Sequence, residues 1–395
     1  ANTPKMVDVI RMASQRITNL DFIRGIAVLG IFLMNSVFMG LPDSAYWNHS
    51  SAGIEDTIDW ILVIFTEIFV AQKFMALFSI LFGASIVIFI DHAERRKSKM
   101  PKALSIWRNF LLLCFGMFHA TFLFDGDILV IYALCAPIII VLRKRNLAIL
   151  TTLCAMFMII PILASFFMQY VFDANGNLIE SLRGTEFFAN DSSGLGAYWF
   201  SASTDYDVIG LFILLDAFFR AASMMLLGII LYRLNVLHGN LSTKIYQRMA
   251  LYGLLIGLPL STASIAWLIV SDYSPAIALW GFIPNKLGII PLALAYVGLL
   301  SIINNKANEK IASYIKACGK MALTNYITQS ILGLIFFQVV YAKDDFSRKE
   351  ITLFVFFVWT IQLIWSRYWL SRFSYGPLEW LWRKLTYLSY SKVVN

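Results

Sequence analysis

Residues 57–90 read TIDWILVIFTEIFVAQKFMALFSILFGASIVIFI, with only Asp59, Glu67 and Lys73 charged. About 20 apolar residues suffice for a helix to cross a hydrocarbon core of about 30 Å. At 1.5 Å per residue this run would reach about 50 Å as one straight helix. It is too long for a simple crossing, and Ala71-Gln72-Lys73 interrupts it. The expectation is a broken, steeply tilted or partly re-entrant helix.

Outward from that run, further apolar stretches fall at 22–40, 108–124, 127–142, 147–171, 208–232, 249–270, 282–303, 313–341 and 351–371. The fold class expected is all-α, a polytopic transmembrane bundle of about ten spans. Composition agrees: 59% of residues are hydrophobic and 14% charged, with a mean hydropathy of +0.71. A soluble domain is nearer 45–50% apolar and about 25% charged, so these few charges cannot cover a water-facing surface. Lipid as solvent removes the conflict. No signal peptide precedes the first apolar run, which is expected to stay in the mature protein. The organisation expected is a cytoplasmic segment at 1–21, a single transmembrane domain at 22–371 with a long outer loop at 172–207, and an interfacial tail at 372–395. The tail mixes aromatics with cations in Gly376-Pro377-Leu378-Glu379-Trp380-Leu381-Trp382-Arg383-Lys384, as a helix lying on a membrane surface does.

The net charge of +8 is a statement about orientation. Lys5, Arg11 and Arg16, the run from Arg95 to Lys102, Arg143-Lys144-Arg145, Arg233 with Lys244 and Arg248, Lys306 with Lys310 and Lys316, and Arg372 with Arg383, Lys384 and Lys392 occupy alternate connections. Cytoplasmic loops are the Lys- and Arg-rich ones, so both termini are placed in the cytoplasm. The opposite set is acidic: Asp43, Glu55, Asp56, Asp125, Asp127, Asp173, Glu180, Glu186, Asp191, Asp205 and Asp207. With the cations scattered over short loops, no surface is built for nucleic acid. Cys114, Cys135, Cys154 and Cys318 lie in apolar stretches without metal spacing and read as small buried hydrophobes. No metal site is expected, and GxSxG, Walker A, HExxH and dinucleotide fingerprints are all absent from the sequence.

Ionisable and strongly polar residues inside spans cost about 2.5–3.5 kcal/mol at mid-helix and are functional candidates by default. His119 is the one histidine within an apolar run, with Asp125 and Asp127 at the outer mouth. It is either a general base oriented by a carboxylate or a helix-packing hydrogen bond. Asn35 is placed by helical rise near the same depth. On these grounds an outer-facing pocket is expected around His119, Asp127 and Asn35. Asp21 and Arg24 are one turn apart, and Arg24 is either an anion site or a snorkelling anchor. Glu67, Gln72 and Lys73 lie near mid-membrane, with Glu67 and Lys73 too far around the helix for an ordinary pair. Asp216 and Arg220 are spaced i,i+4 and read first as a structural ion pair, with substrate binding the alternative. Thr324, Asn325 and Gln329 suit hydrogen bonds across helices. His49, in Trp47-Asn48-His49, stands in an outer loop, where solvation is the default.

The chain resembles the YeiB family of bacterial inner-membrane proteins (DUF418). The likeness rests on Leu20-Asp21-Phe22-Ile23-Arg24-Gly25 with Asn35, on Lys73-Phe74 through Leu81-Phe82-Gly83-Ala84, and on His119 with Gly126-Asp127-Ile128-Leu129. It continues in Gly319-Lys320-Met321-Ala322-Leu323-Thr324-Asn325-Tyr326 and in Gly376-Pro377 with Glu379-Trp380-Leu381-Trp382-Arg383. The Leu-Asp-x-x-Arg-Gly start is also similar to that of membrane acyltransferases, bacterial O-acyltransferases and lysosomal heparan-glucosaminide N-acetyltransferases among them. The bacterial enzymes carry a histidine eleven residues after the arginine, where this chain has Asn35. The lysosomal enzymes have asparagine there and their histidine in the following outer loop, the region of His49.

The expectation drawn from residues and resemblance together is acyl transfer from a cytoplasmic acyl-CoA donor to an extracytoplasmic hydroxyl or amine. His119 or His49 would be the base, Asp127 its orienting carboxylate, and Asn35 and Lys73 oxyanion donors. Arg24, Asp125, Glu67, Gln72, Asp216, Arg220 and Asn325 would line substrate sites. The alternative is a transporter of a small anionic or acyl-bearing solute, for which a broken helix is equally apt. No tightly bound cofactor is expected. The partners are the bilayer and a small-molecule substrate, with a homodimer left open, and the location is the bacterial inner membrane.

Overall fold

The expected break in the second span is present. In this computed structural model, which describes residues 17–182, 199, 208–341 and 345–394, Gln72 adopts a left-handed conformation (φ 66°) between two helices. Lys5, Arg11 and Arg16, the loop acids Glu186, Asp191, Asp205 and Asp207, and much of the long loop lie outside the described residues.

Helix α1 runs Thr18–Gly40 and is followed by a single turn, α2, at Ser44–Trp47. Helices α3 (Thr57–Phe69) and α4 (Lys73–Arg95) form the broken span. Then come α5 (Pro101–Phe122), α6 (Leu129–Leu142), α7 (Leu147–Gln169), α8 (Val208–Arg233), α9 (Thr243–Val270) and α10 (Ile283–Lys306). Helices α11 (Glu309–Lys320), α12 (Ala322–Leu334, prolonged by a π turn at Ile335–Val340), α13 (Arg348–Arg372) and α14 (Pro377–Val394) complete the order. Among the described residues, nine helical segments are long and apolar enough to cross a membrane. The chain is an all-α, multi-pass membrane protein.

Two expected spans are corrected. The run 127–142 is helical only over Leu129–Leu142, about 21 Å of rise. Its connection from α5 folds back into the bundle, where Gly116 lies against Leu129 and Val130. The run 313–341 is not one helix. Gly319 packs so closely on α1 that a Cβ there would collide with the Asp21 carbonyl oxygen, and Met321 leaves the helical region. The first piece, α11, is amphipathic, with Ala312, Ala317 and Cys318 buried and Glu309 exposed; the crossing itself begins at Ala322. Several other helices start earlier than their apolar runs, because polar residues continue the same helix.

Successive helices alternate between two ends. At the basic end, Arg143 binds Asp91 at 2.9 Å and also pairs with Glu94. There too Asn19 donates to Leu237 O at 3.1 Å and Ser301 Oγ at 3.0 Å. At the acidic end, Asp56 caps α3 by accepting from Ile58 N and Asp59 N. The Lys349 ammonium, 2.9 Å from Asp56, holds the Asp56 carboxyl below the usual carboxylate range. Large side chains such as Phe110, Met117, Phe118, Phe122, Leu353, Phe356 and Phe357 face outward, as a lipid-facing belt requires. Cys114 is exposed on that belt, against expectation, while the other three cysteines are buried. Helix α14 lies against α5, with Trp382 Nε1 donating to Arg108 O at 2.8 Å.

Candidate functional site

A cavity of ≈ 250 Å³ opens at the basic end. Arg24, Arg108, Lys320 and Arg383 line it. Arg24 donates to Ser85 Oγ at 2.9 Å and lies 3.4 Å from Asp21 Oδ1. Arg108 is held by ring faces, 3.8 Å from Trp382 and 4.7 Å from Phe89. Arg383 lies over Tyr375 and Tyr387. Glu379 also lines the space but is committed to the start of α12, accepting from Leu323 N (2.8 Å), Thr324 N (3.1 Å) and Thr324 Oγ1 (2.6 Å). Burial pushes its carboxyl above the ordinary value. The cavity therefore carries a positive field suited to a polyanion.

The inner wall is aromatic, with Phe78, Phe82, Tyr132 and Tyr326. Behind Tyr132, whose hydroxyl meets Ser79 Oγ at 2.8 Å, lies a space of ≈ 20 Å³ bounded also by Gln72 and Arg220. Gln72 and Arg220 in turn line a third space of ≈ 70 Å³ towards the acidic end. The three spaces thus share walls, and they run in series from one end of the bundle towards the other.

The acidic-end pocket is charged inside and aromatic around. Arg220 Nε donates to Asp216 Oδ2 at 2.6 Å, and Lys286 pairs with the other carboxylate oxygen. Lys286 also donates to Ser165 Oγ at 2.5 Å. Gln72 accepts from Arg220 and donates to Tyr46 at 3.2 Å. Tyr46, Trp47, Trp199, Phe212 and Phe282 surround these groups. Burial and the nearby Glu67 push the Tyr46 phenol up to about 12. The helix break organises the whole: after Gln72 the chain restarts so that Lys73 Nζ reaches back to the Glu67 carbonyl and donates to Asn285 Oδ1 at 2.7 Å. The expectation that Glu67 and Lys73 are not an ordinary side-chain pair matches this geometry.

His49 is buried, not solvated. Its Nδ1 is 3.0 Å from the Tyr273 hydroxyl and its Nε2 3.1 Å from Glu67 Oε1, so it backs onto this pocket through Glu67. His119 stands elsewhere. Its Nδ1 is 2.7 Å from Asp127 Oδ1 and its Nε2 2.8 Å from Ser330 Oγ. The two histidines have no hydrogen-bond partner in common among the described residues. The expected pocket around His119, Asp127 and Asn35 is replaced by a sealed cluster. Asn35 is half-buried and joins no hydrogen bond with His119 or Asp127 among the described residues. Helical rise had set its depth but not the direction it faces. Asp125 is exposed at the acidic end. Asn325 bonds to Ser366 Oγ at 2.9 Å and Cys318 O at 3.1 Å and belongs to a seam between α12 and α13. The structure does not bring Lys73 to His119 either, since its ammonium is taken up at the helix break.

Four contributors were not picked out as site residues from sequence: Lys286, Arg108, Tyr326 and Ser330. Lys286 carries the signal that singled out Asp216, an ionisable group in an apolar run. Arg108 sits at the first residue of its run and resembles a loop cation. Tyr326 and Ser330 have no such signal.

Residues 231–389 match the family described as a protein of unknown function, DUF418. Over 94% of its length the chain is 28% identical to the uncharacterized protein YeiB of Escherichia coli (strain K12), covering 96% of that protein. It is 28% identical to the uncharacterized protein YxaH of Bacillus subtilis (strain 168), over 97% of both chains. An uncharacterized 39.9 kDa protein in the amylase 3'region of Bacillus acidopullulyticus is 27% identical over 94% of both. The chain is similar to the YeiB-like proteins along nearly its whole length, and its C-terminal part matches DUF418. Each of the five stretches quoted for the YeiB likeness supplies a wall of the basic-end cavity, through Arg24, Phe82, Leu129, Lys320 with Tyr326, and Glu379 with Arg383. In this YeiB-like chain, the stretch containing Glu379 is tied directly to the stretch containing Thr324.

Proposed function

We propose that the chain is a membrane-embedded acyltransferase of the bacterial inner membrane. It takes an acyl group from a cytoplasmic acyl-CoA and passes it to a hydroxyl or amine acceptor on the opposite side. The observation that carries this reading is the cation-lined cavity whose inner wall, Tyr326, packs against the His119 ring. Acyl-CoA has the matching shape and charge, a phosphate-rich nucleotide head on a narrow arm that ends in the reactive thioester. Arg24, Arg108, Lys320 and Arg383 hold the phosphates at the basic end by charge-assisted hydrogen bonds. The arm passes between the aromatic walls to Tyr132 and Tyr326, and His119 stands behind Tyr326 as the base.

A second reading is a transporter for a small anionic or acyl-bearing solute. The feature in its favour is the helix break at Gln72, set between the spaces and tied to the Asp216, Arg220 and Lys286 cluster. Unwound segments of this kind bind solutes in transporters. The two readings separate in proteoliposomes supplied with labelled acetyl-CoA on the basic side. Label on an added lipid, amine or sugar acceptor, lost in His119→Ala, supports transfer. Uptake of a solute with no covalent change sinks it.

A further inference from the structure

We infer that Ser330 is a nucleophile that carries the acyl group as a serine ester between donor and acceptor. This rests on the acyl-transfer reading and adds a covalent intermediate to it.

The argument starts from hydrogen-bond inventory. A carboxylate only accepts, so the 2.7 Å contact between Asp127 Oδ1 and His119 Nδ1 places the imidazole proton on Nδ1. Nε2 then carries the lone pair, and the Ser330 hydroxyl, 2.8 Å away, donates to it. Asp127 cannot turn freely, because Oδ2 accepts from Val130 N at 2.7 Å. Several hydroxyls within the spans bond to the carbonyl four residues back, Ser79 at 2.8 Å, Thr328 at 2.7 Å and Thr352 at 2.8 Å. Others, such as Ser223 and Ser264, reach a carbonyl outside their own helix. Ser330 Oγ lies 3.5 Å from the Tyr326 carbonyl, four residues back. Of its two contacts, the one to the histidine is much the shorter. Carboxylate, imidazole and hydroxyl in this order make the arrangement that activates a serine.

Burial and access fit a protected ester. His119 is 0% and Ser330 1% exposed, so water is excluded from the intermediate. Tyr326 separates the group from the cation-lined cavity. It lines that cavity, its ring centroid is 5.0 Å from that of His119, and its hydroxyl is 3.5 Å from Asp127 Oδ1. Tyr326 is thus the wall that the donor space and the Asp127, His119 and Ser330 group share.

In the first half-reaction Ser330 Oγ attacks the thioester carbonyl and gives its proton to His119 Nε2. The C–S bond breaks, and the coenzyme thiolate takes that proton as it leaves. In the second, an acceptor hydroxyl or amine loses a proton to His119, attacks the ester carbonyl, and Ser330 Oγ departs and recovers the proton.

The first half-reaction needs no acceptor, which makes it testable on the purified full chain in detergent. Protein is incubated with labelled acetyl-CoA, digested, and mapped by mass spectrometry; a parallel sample meets a fluorophosphonate probe. The expected result is acetyl on the peptide holding Ser330, absent in Ser330→Ala and formed roughly 100-fold more slowly in His119→Gln, with the probe on the same serine. Ser330→Cys, matched in size, should trap a thioester and controls for folding. Wild-type protein that acylates an acceptor while Ser330 stays unmodified overturns the serine ester and leaves acyl transfer standing. If wild type transfers no acyl group at all, the acyl-transfer reading fails. The probe then decides: modification of Ser330 that requires His119 sustains the nucleophile, and none overturns it.

Discussion

Lys73, the first residue of α4, donates to Asn285 Oδ1 of α10 across 2.7 Å. The restarted helix is thereby fastened to a distant span. Asn285→Ala leaves the buried ammonium with the Glu67 carbonyl alone. A hydrogen bond to a charged group contributes about 1.5–3 kcal/mol, so the thermal midpoint in detergent should fall clearly. An unchanged midpoint would show that the tie is not made.

Asp216 serves two cations, Arg220 and Lys286. Asp216→Asn leaves both without their carboxylate, and breaking a buried pair costs about 3–5 kcal/mol. Adding Lys286→Met should recover part of the loss, because the second stranded charge is then gone. A double-mutant cycle on unfolding midpoints measures the coupling; simple additivity would contradict a shared cluster.

Among the described residues, Arg108 is held by rings rather than by a carboxylate. Arg108→Gln should weaken acetyl-CoA binding about 10- to 100-fold, in line with one charge-assisted hydrogen bond. Isothermal titration with acetyl-CoA and with desulfo-CoA reads this. The affinity should also drop as salt rises. Equal affinity in wild type and variant would remove the donor site from the basic end.

Glu379 has a carboxyl raised above its ordinary value by burial. The folded state therefore holds a proton more readily than the unfolded chain. The docking of α14 is strongest below the unfolded pKa and weakens as pH rises through the folded one. Fluorescence of Trp380 and Trp382 followed against pH should show this transition in wild type and lose it in Glu379→Gln. The same profile in both proteins would assign the effect to another group.

Reporter fusions after residues 53, 98 and 145 test the orientation. Loops rich in Lys and Arg stay in the cytoplasm, so 98 and 145 should report inside and 53 outside. The reverse pattern would invert the placement of donor and acceptor.

The spans were legible because hydropathy reports what lipid demands, and the helix break was legible because Ala71-Gln72-Lys73 cannot sit comfortably in an unbroken apolar helix. The sites were less so. The sequence sets a residue's depth along a helix, as for Asn35 and His119, yet not the direction each faces around the axis. Interhelical partners depend on that direction. Lys286 was legible as an ionisable group in an apolar run, whereas Ser330 was hidden because a serine in a span usually bonds its own backbone. The division of 313–341 arose from the approach of Gly319 to α1, a contact between segments about 300 residues apart.

Tyr375, Glu379, Trp382 and Arg383 close one side of the cation-lined cavity, and in chain order they follow every span they meet. A ribosome therefore finishes the membrane bundle before it finishes this site. A partly synthesised chain, already inserted, has its Arg24 and Arg108 wall before it has the wall that α14 supplies, and the cavity is complete only once α14 is in place.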